Sequence, residues 1–287
     1  MKILVTGGAG FIGSNLIRRL LKDGHVVCSV DNYSTGTADN EVTNCNYYNC
    51  SVLDIGTIGE RDFNVIFHLA ALARIQPSFI HPSETFHSNV VGTEAVLEFA
   101  KTIGALVVYA GSSSRWHDPR NSPYAMSKYL GEELCKLYRQ SLRCQIQIAR
   151  FYNVYGQGEI IDGDYATVIG LWRRQIRDGE PITIISDGEQ RRDFTHIDDI
   201  VDGLVRIMHT KHSHSDAWEL GTGINYSINQ LYAMFCERFG SKCTCIYLPN
   251  IPGNYRTTLR EHDDAIHKLE WKPIDRLKTY IDSLHTC

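Results

Sequence analysis

Tyr124 and Lys128 stand four residues apart in the run Asn121-Ser122-Pro123-Tyr124-Ala125-Met126-Ser127-Lys128. Ser122 suits an N-cap and Pro123 the first helical position, so the spacing predicts a helix with the phenol and the ammonium on one face. An ammonium at that distance favours phenolate and provides a base usable near neutral pH. Upstream, Tyr109-Ala110-Gly111-Ser112-Ser113-Ser114 places hydroxyls at the end of an apolar run, where one can hydrogen-bond a reacting oxygen. Taken alone, Tyr-x-x-x-Lys is more often the pattern of a structural surface pair, so the elements around it decide its meaning.

The chain opens with an apolar strand, 2–5, then Thr6-Gly7-Gly8-Ala9-Gly10-Phe11-Ile12-Gly13, then a helical run over 14–22. Strand, glycine turn and helix form the phosphate-binding corner of a dinucleotide fold. Gly7 permits the tight turn, Gly10 lets backbone approach a pyrophosphate, and Gly13 lets helix and strand pack closely. The helix N-terminus offers unpaired N–H groups and the positive end of a dipole to the anion. A second strand, 25–30, runs into Asp31, 18 residues beyond Gly13. Its carboxylate can accept from adenosine ribose hydroxyls and repels a 2′-phosphate, and no arginine follows closely, so NAD is expected rather than NADP. The plainer reading is an Asp that opens the turn Asp31-Asn32-Tyr33-Ser34-Thr35-Gly36.

Apolar strands at 64–69, 106–110 and 145–150 alternate with helical patterns at 89–101 and 123–140. That alternation implies right-handed crossovers in an α/β, Rossmann-type doubly wound parallel sheet. Past Asn153 the pattern loosens: 168–177 reads as helix, 182–185 as strand and 198–208 as helix, and the tail mixes short elements. The expected division is an NAD-binding domain over 1–153 and 186–218. A smaller, discontinuous α/β substrate-binding lobe over 154–185 and 219–287 closes on the strand ends, where ligands bind in such sheets.

With 43% apolar and 22% charged residues in 287, this is the composition of a globular protein. A net charge of −4 lends nucleic-acid binding no support. No apolar run reaches a membrane span, and no secretory signal is visible, so a cytoplasmic protein is expected. The nine cysteines are scattered, which fits a reducing compartment better than a disulfide framework. Cys243 and Cys245 read as two residues on one side of a strand. His209, His212 and His214 read as a solvated loop, and no metal is expected.

At these residues the chain resembles the extended short-chain dehydrogenase/reductase family, specifically its NAD-dependent nucleotide-sugar epimerases and dehydratases. The likeness runs through Thr6–Gly13, Asp31-Asn32-Tyr33-Ser34-Thr35-Gly36, His68-Leu69-Ala70-Ala71 and Asn89-Val90-Val91-Gly92-Thr93. It continues through Ser112 to Ser114, Tyr124 to Lys128, Arg150-Phe151-Tyr152-Asn153-Val154-Tyr155-Gly156 and Arg192-Asp193-Phe194-Thr195-His196-Ile197-Asp198-Asp199. The resemblance implies NAD contacts at Gly7, Gly10, Phe11, Ile12, Gly13, Asp31, Asn32, Ser34 and Gly36. It adds Ser51, Val52, Leu69, Ala70, Ala71, Asn89, Tyr124, Lys128 and Tyr152. It implies Tyr124 as base, Ser112 as its hydroxyl partner, and Lys128 on the nicotinamide ribose. The substrate set it implies is Ser112, Ser113, Ser114, Tyr124, Asn153, Val168, Arg192, Arg256 and Thr258, with Arg192 on a diphosphate. Phe86, Val90, Val91, Leu97, Leu130 and Leu134 fall on the two helices that form a homodimer's four-helix bundle in this family. Burial of the same residues against the sheet is the alternative.

Family 4,6-dehydratases carry Asp and Glu after the catalytic hydroxyl, where Ser113 and Ser114 stand here. Neither serine can act as a carboxylic acid or base, which leaves 4-epimerisation of a nucleotide sugar through a transient 4-keto sugar. A UDP-hexose or UDP-N-acetylhexosamine is the expected substrate, since Thr258 falls where bulk excludes N-acetyl sugars. A 4-keto-sugar reductase and a non-catalytic NAD-binding regulator are the alternatives. Three features depart from the family. Ser112 and Tyr124 are only 12 residues apart, Arg115-Trp116-His117 replaces the usual aromatic-Gly, and Ser51 replaces an Asp toward the adenine. Ile251-Pro252-Gly253-Asn254 replaces an Arg-x-Gly-Asp pattern, with Arg256 the candidate to compensate.

Overall fold

The computed structural model describes residues 1–285; Cys287, one of the nine cysteines, lies outside the described residues. The strands in chain order are β1 Lys2–Thr6, β2 Val26–Asp31, β3 Asn46–Asn49, β4 Val65–His68, β5 Leu106–Ser112, β6 Ile146–Phe151, β7 Val154–Tyr155, β8 Ile182–Ile185, β9 Arg191–Asp193, β10 Thr195–His196, β11 Trp218–Leu220, β12 Asn225–Ser227 and β13 Cys245–Leu248. The helices are α1 Phe11–Lys22, α2 Ile75–Ile80, α3 Pro82–Phe86, α4 Gly92–Ile103, α5 Pro123–Ser141, α6 Val168–Arg177, α7 Ile197–His209, α8 Ile228–Phe239, α9 Asp264–Lys268 and α10 Leu277–Ser283.

Seven strands form one parallel sheet in the order β11-β6-β5-β4-β1-β2-β3. Side chains alternate across a strand, and here both faces are apolar. Ile3, Val5, Val27, Val65 and Phe67 meet α1 and α7 on one face. Leu4, Cys28, Val30, Ile66, Val107 and Tyr109 meet α4 and α5 on the other. This is the doubly wound sheet expected, with the strand order reversing between β1 and β4, where a crevice opens for a ligand.

A third core gathers Tyr155, Ile169, Trp172, Ile182, Ile184, Phe235, Leu277 and Ile281 around α6, α8, α10 and the pair β8–β13. The tail is more interleaved than the expected division. β11 extends the large sheet, and Ala265, Leu269 and Trp271 pack into its α1–α7 face. The segment from 219 onward therefore serves both cores.

Local differences have local causes. β3 reads Asn46-Tyr47-Tyr48-Asn49, a polar edge strand without an apolar signature. The helix expected over 89–101 starts as α3 and passes through a π-helical turn, His87–Val91, before α4. α2 accommodates Pro77 in its first turn, where a missing N–H breaks no intrahelical bond. Cys243 precedes β13 rather than lying in it, with its Sγ 3.0 Å from Cys236 Sγ on α8. No helix among the described residues is long and apolar enough to cross a membrane.

Candidate active site

The glycine turn is held open by contacts that side chains would fill. Gly7 has φ +75°, and a Cβ there would stand 2.8 Å from Ala70 N. A Cβ on Gly13 would stand 2.1 Å from the Gly7 carbonyl oxygen. Gly10 is the N-cap of α1, no side chain caps the helix, and its first turn holds no acid. The N–H groups of Phe11, Ile12 and Gly13 thus face the crevice without a competing carboxylate. Asp31 accepts from Ala9 N and Tyr33 N, both at 2.8 Å, so it braces the turn and keeps lone pairs for a ribose. Asn32 accepts from Ser34 N, and Gly36 lies so close to Ala9 that a Cβ would stand 2.8 Å from its carbonyl. These residues fit a dinucleotide pyrophosphate and its adenosine ribose.

Beyond β4, Leu69 N donates to Thr6 O and Ala70 N to Thr6 Oγ1, fixing Leu69, Ala70 and Ala71 along the crevice. Four residues expected to contact the cofactor have their side chains engaged within the protein. Ser51 Oγ caps a 3₁₀ turn through Leu53 N, and Val52 is buried against Gly92. Asn89 is 1% exposed, bonded to both backbone groups of Leu72 and to Ser127 Oγ, so it braces the loop after β4. The Tyr152 ring is sealed inside, its hydroxyl donating to Glu219 Oε2.

Ser122 caps α5 through Ala125 N, with Pro123 in the first turn. That start places Tyr124 Oη 3.3 Å from Ser112 Oγ at the end of β5. One turn on, buried Lys128 donates from Nζ to Ala110 O at 2.5 Å and lies 4.7 Å from the Tyr109 ring centre. Burial lowers the Lys128 ammonium to about 8, against the charge of Glu132 one further turn along. Burial raises the Tyr124 phenol; the Ser112 hydrogen bond and the Arg74 charge oppose it. In this arrangement the cation acting on Tyr124 is Arg74, while Lys128 is turned to a carbonyl. Ser114 is buried with its hydroxyl unpartnered, and Ser113 is half-buried beside it.

The short connection from Ser112 to Tyr124 forms a 3₁₀ turn, Ser113–Trp116. Trp116 Nε1 donates to Glu219 Oε1 at 2.9 Å and to Tyr152 Oη at 3.1 Å. His117 stacks on Tyr255, with ring centres 3.9 Å apart. Arg192 Nη2 donates to Asn254 Oδ1 at 2.8 Å and Nη1 to Arg191 O at 2.9 Å. No carboxylate among the described residues lies within 4 Å of it, and burial lowers it to about 10. A desolvated guanidinium without a counter-charge is poised for an anion.

Asn153 and Thr258, 105 residues apart, meet: Asn153 Nδ2 donates to Thr258 Oγ1 at 3.1 Å. Val168 opens α6 and packs on the third core. Arg256 departs from the expectation. It is exposed and paired with Asp187 at 2.8 Å, so it does not replace the missing arginine; Asn254 instead orients Arg192. His214 bonds Asp264 and packs on Trp218 rather than joining its neighbouring histidines. The sequence reading missed Arg74, Tyr255, Glu219 and Glu132. Only Arg74 left a signal, a lone charge within Ala70-Ala71-Leu72-Ala73-Arg74-Ile75.

The family model described as the NAD dependent epimerase/dehydratase family matches residues 3–221. The UDP-glucose 4-epimerase of Mycolicibacterium smegmatis is 31% identical over 95% of this chain and 94% of that one. The UDP-glucose 4-epimerase of Thermotoga maritima, solved with UDP-glucose, superposes with a TM-score of 0.90 at 28% identity, covering 98% of this chain and 96% of that one. The UDP-glucuronic acid 4-epimerase of Bacillus cereus, solved with UDP-glucuronic acid and NAD, superposes with a TM-score of 0.88 at 27% identity, covering 99% and 97%.

Proposed function

This chain belongs to the NAD-dependent epimerase/dehydratase family, and we propose that it is a nucleotide-sugar 4-epimerase acting on a UDP-linked hexose. The observation that carries this is the contact of Tyr124 Oη with Ser112 Oγ at the end of β5, beside a crevice that fits a dinucleotide. The UDP-sugars bound or named for the similar proteins support the nucleotide.

Gly7, Gly10, Phe11, Ile12, Gly13, Asp31, Leu69, Ala70 and Ala71 would hold NAD, with Lys128 released from Ala110 O to its ribose. When bound, NAD supplies a reversible two-electron acceptor beside the sugar, so configuration at C4 changes without net redox. Tyr124 takes the proton from the 4-hydroxyl and returns it to the same oxygen, whichever face of the sugar is presented. Ser112 Oγ holds that oxygen in line with Tyr124, and Ser113 and Ser114 supply hydroxyls but no carboxylic acid for eliminating water. Arg192 grips the diphosphate while Asn153 and Thr258 line the sugar-nucleotide path. A held diphosphate with a free sugar end is what allows the ring to turn over between the two half-reactions.

A homodimer belongs to the same proposal. Val91, Leu130 and Leu137 are 43%, 36% and 51% exposed around α4 and α5, while Leu97 is turned into the core. That exposed row supports pairing with a second copy. The buried thiols Cys28 and Cys135 support a cytoplasmic setting.

The test is incubation of purified protein and NAD, without external reductant, with UDP-, GDP- and dTDP-sugars, followed by NMR. One sugar should reach the same mixture with its C4 epimer from either side. Conversion only with added reduced cofactor would replace this reading with a keto-sugar reductase.

A further inference from the structure

Arg74 is a cation that the reaction just described leaves unused. It precedes α2, and one turn into that helix Ser78 Oγ accepts the backbone N–H of Tyr124 at 3.1 Å, so its loop is fastened to the start of α5. Arg74 Nε donates to Tyr165 O at 2.8 Å and Nη1 to Ala73 O at 3.0 Å. The other N–H groups, on Nη1 and Nη2, are uncommitted, and they form the edge of the guanidinium fork that pairs side-on with a carboxylate. No carboxylate among the described residues lies within 4 Å; the nearest-acting acid, Glu159, is held by Arg173, Thr167 and Tyr280.

Burial lowers the Arg74 guanidinium, and its charge is felt at Tyr124. Arg192 is in the same condition, desolvated and without a counter-ion, and it acts on Tyr255. Tyr255 in turn acts on Tyr124. Arg192, held by Asn254 next to Tyr255, and Arg74, whose loop Ser78 fastens to the backbone of Tyr124, therefore both border the base as half-buried cations without a counter-ion. A nucleotide diphosphate answers Arg192 only. The second cation sits at the sugar end, where a neutral hexose has nothing to neutralise it.

We propose that Arg74 pairs with an acidic group on the sugar itself, and that the preferred substrate is a UDP-hexuronate, its C6 carboxylate held against the open edge of the guanidinium. This rests on Tyr124 acting at C4, which places C6 within reach of a cation beside the phenol. It narrows the UDP-hexose or UDP-N-acetylhexosamine that the sequence alone suggests.

The experiment compares UDP-glucuronate, UDP-glucose and UDP-N-acetylglucosamine as substrates for the NAD-loaded wild type and for Arg74→Gln and Arg74→Lys. NMR reads initial rates, and calorimetry reads binding of each nucleotide sugar. Wild type should favour UDP-glucuronate. Arg74→Gln should lower its kcat/KM about 100-fold more than that of UDP-glucose, the scale of losing one partner of a desolvated charge pair. Arg74→Lys should recover part of the preference. A wild type that favours either neutral sugar overturns the proposal. So does an equal loss on all three substrates, which assigns Arg74 to the ionisation of Tyr124. If no sugar turns over, the epimerase reading fails by itself. Arg74-dependent tighter binding of UDP-glucuronate than of UDP-glucose then upholds the inference, and equal binding overturns it. Release of the carboxylate carbon as CO₂ upholds acid recognition and overturns epimerisation.

Discussion

Tyr124 Oη and Ser112 Oγ lie 3.3 Å apart although they arrive from different elements, the first turn of α5 and the last residue of β5. Removing the phenolic oxygen removes the group proposed to take the substrate proton and leaves the ring itself in place. Tyr124→Phe should lower kcat by about 10²–10⁴-fold. NAD binding, read by calorimetry, should stay within a few-fold of wild type. Near-normal turnover in the variant would show that another group is the base.

The glycine turn is the second point of leverage. A Cβ on Gly13 would stand 2.1 Å from the Gly7 carbonyl, backbone against backbone, with no flexible side chain to yield. Gly13→Ala should therefore push α1 off the turn, costing about 1–3 kcal/mol of stability and weakening NAD at least tenfold. Thermal melts with and without NAD check both parts. Gly24→Ala is the control for added bulk, since nothing stands within 4 Å of that position; its φ of +82° adds only a local backbone strain far from the crevice.

How much of this was legible in the chain follows from how each feature is encoded. Gly7, Gly13 and the Tyr124–Lys128 spacing are local, and backbone geometry ties such patterns to a single arrangement. The apolar runs of β1, β2 and β4 declared themselves because both faces of the sheet are covered. β3 did not, because an edge strand of Asn46-Tyr47-Tyr48-Asn49 resembles a loop. Arg192 and Asn254 are 62 residues apart and Arg74 and Tyr165 are 91 apart, so only the tertiary fold reveals those contacts. Arg256 was misplaced because it lies in an irregular segment, where no period says which side chain faces inward.

Glu219 ties the short connection after Ser112 to the rest of the protein. Its buried carboxylate accepts from Trp116 Nε1, Tyr152 Oη, Glu261 N and His262 N, at 2.9, 2.9, 2.7 and 3.1 Å. An amide can serve fewer of these donors and no longer answers Arg150, 3.6 Å away. Glu219→Gln should cost about 3 kcal/mol. The other three tryptophans are fully buried, whereas Trp116 is 40% exposed, so quenching of fluorescence by acrylamide reports mainly on Trp116. Quenching should rise in Glu219→Gln. An unchanged quenching constant would mean that the turn holds itself.

Lys128 imprints a pH dependence on the cofactor-free protein. Its folded value of about 8 lies below the 10.5 of the unfolded chain. Below pH 8 both states hold the proton, and the buried ammonium weakens the fold. Between 8 and 10.5 the folded state has released a proton that the unfolded state still binds, so stability rises with pH. From pH 7.5 to 9 the gain should be about 1 kcal/mol. The histidines that burial lowers, His25, His68, His117, His196 and His214, titrate below this window. The buried cysteines act within it and oppose it: burial raises their folded values above the 9.0 of the unfolded chain, so each loses stability as the pH approaches 9. Denaturant melts of the NAD-free proteins should show this rise in the stability of wild type relative to Lys128→Met, which buries no charge, keeps the cysteine contributions and should be the more stable at pH 7.5. A parallel pH course in both proteins would show that Lys128 keeps its ordinary value and that its ammonium is solvated in the open crevice.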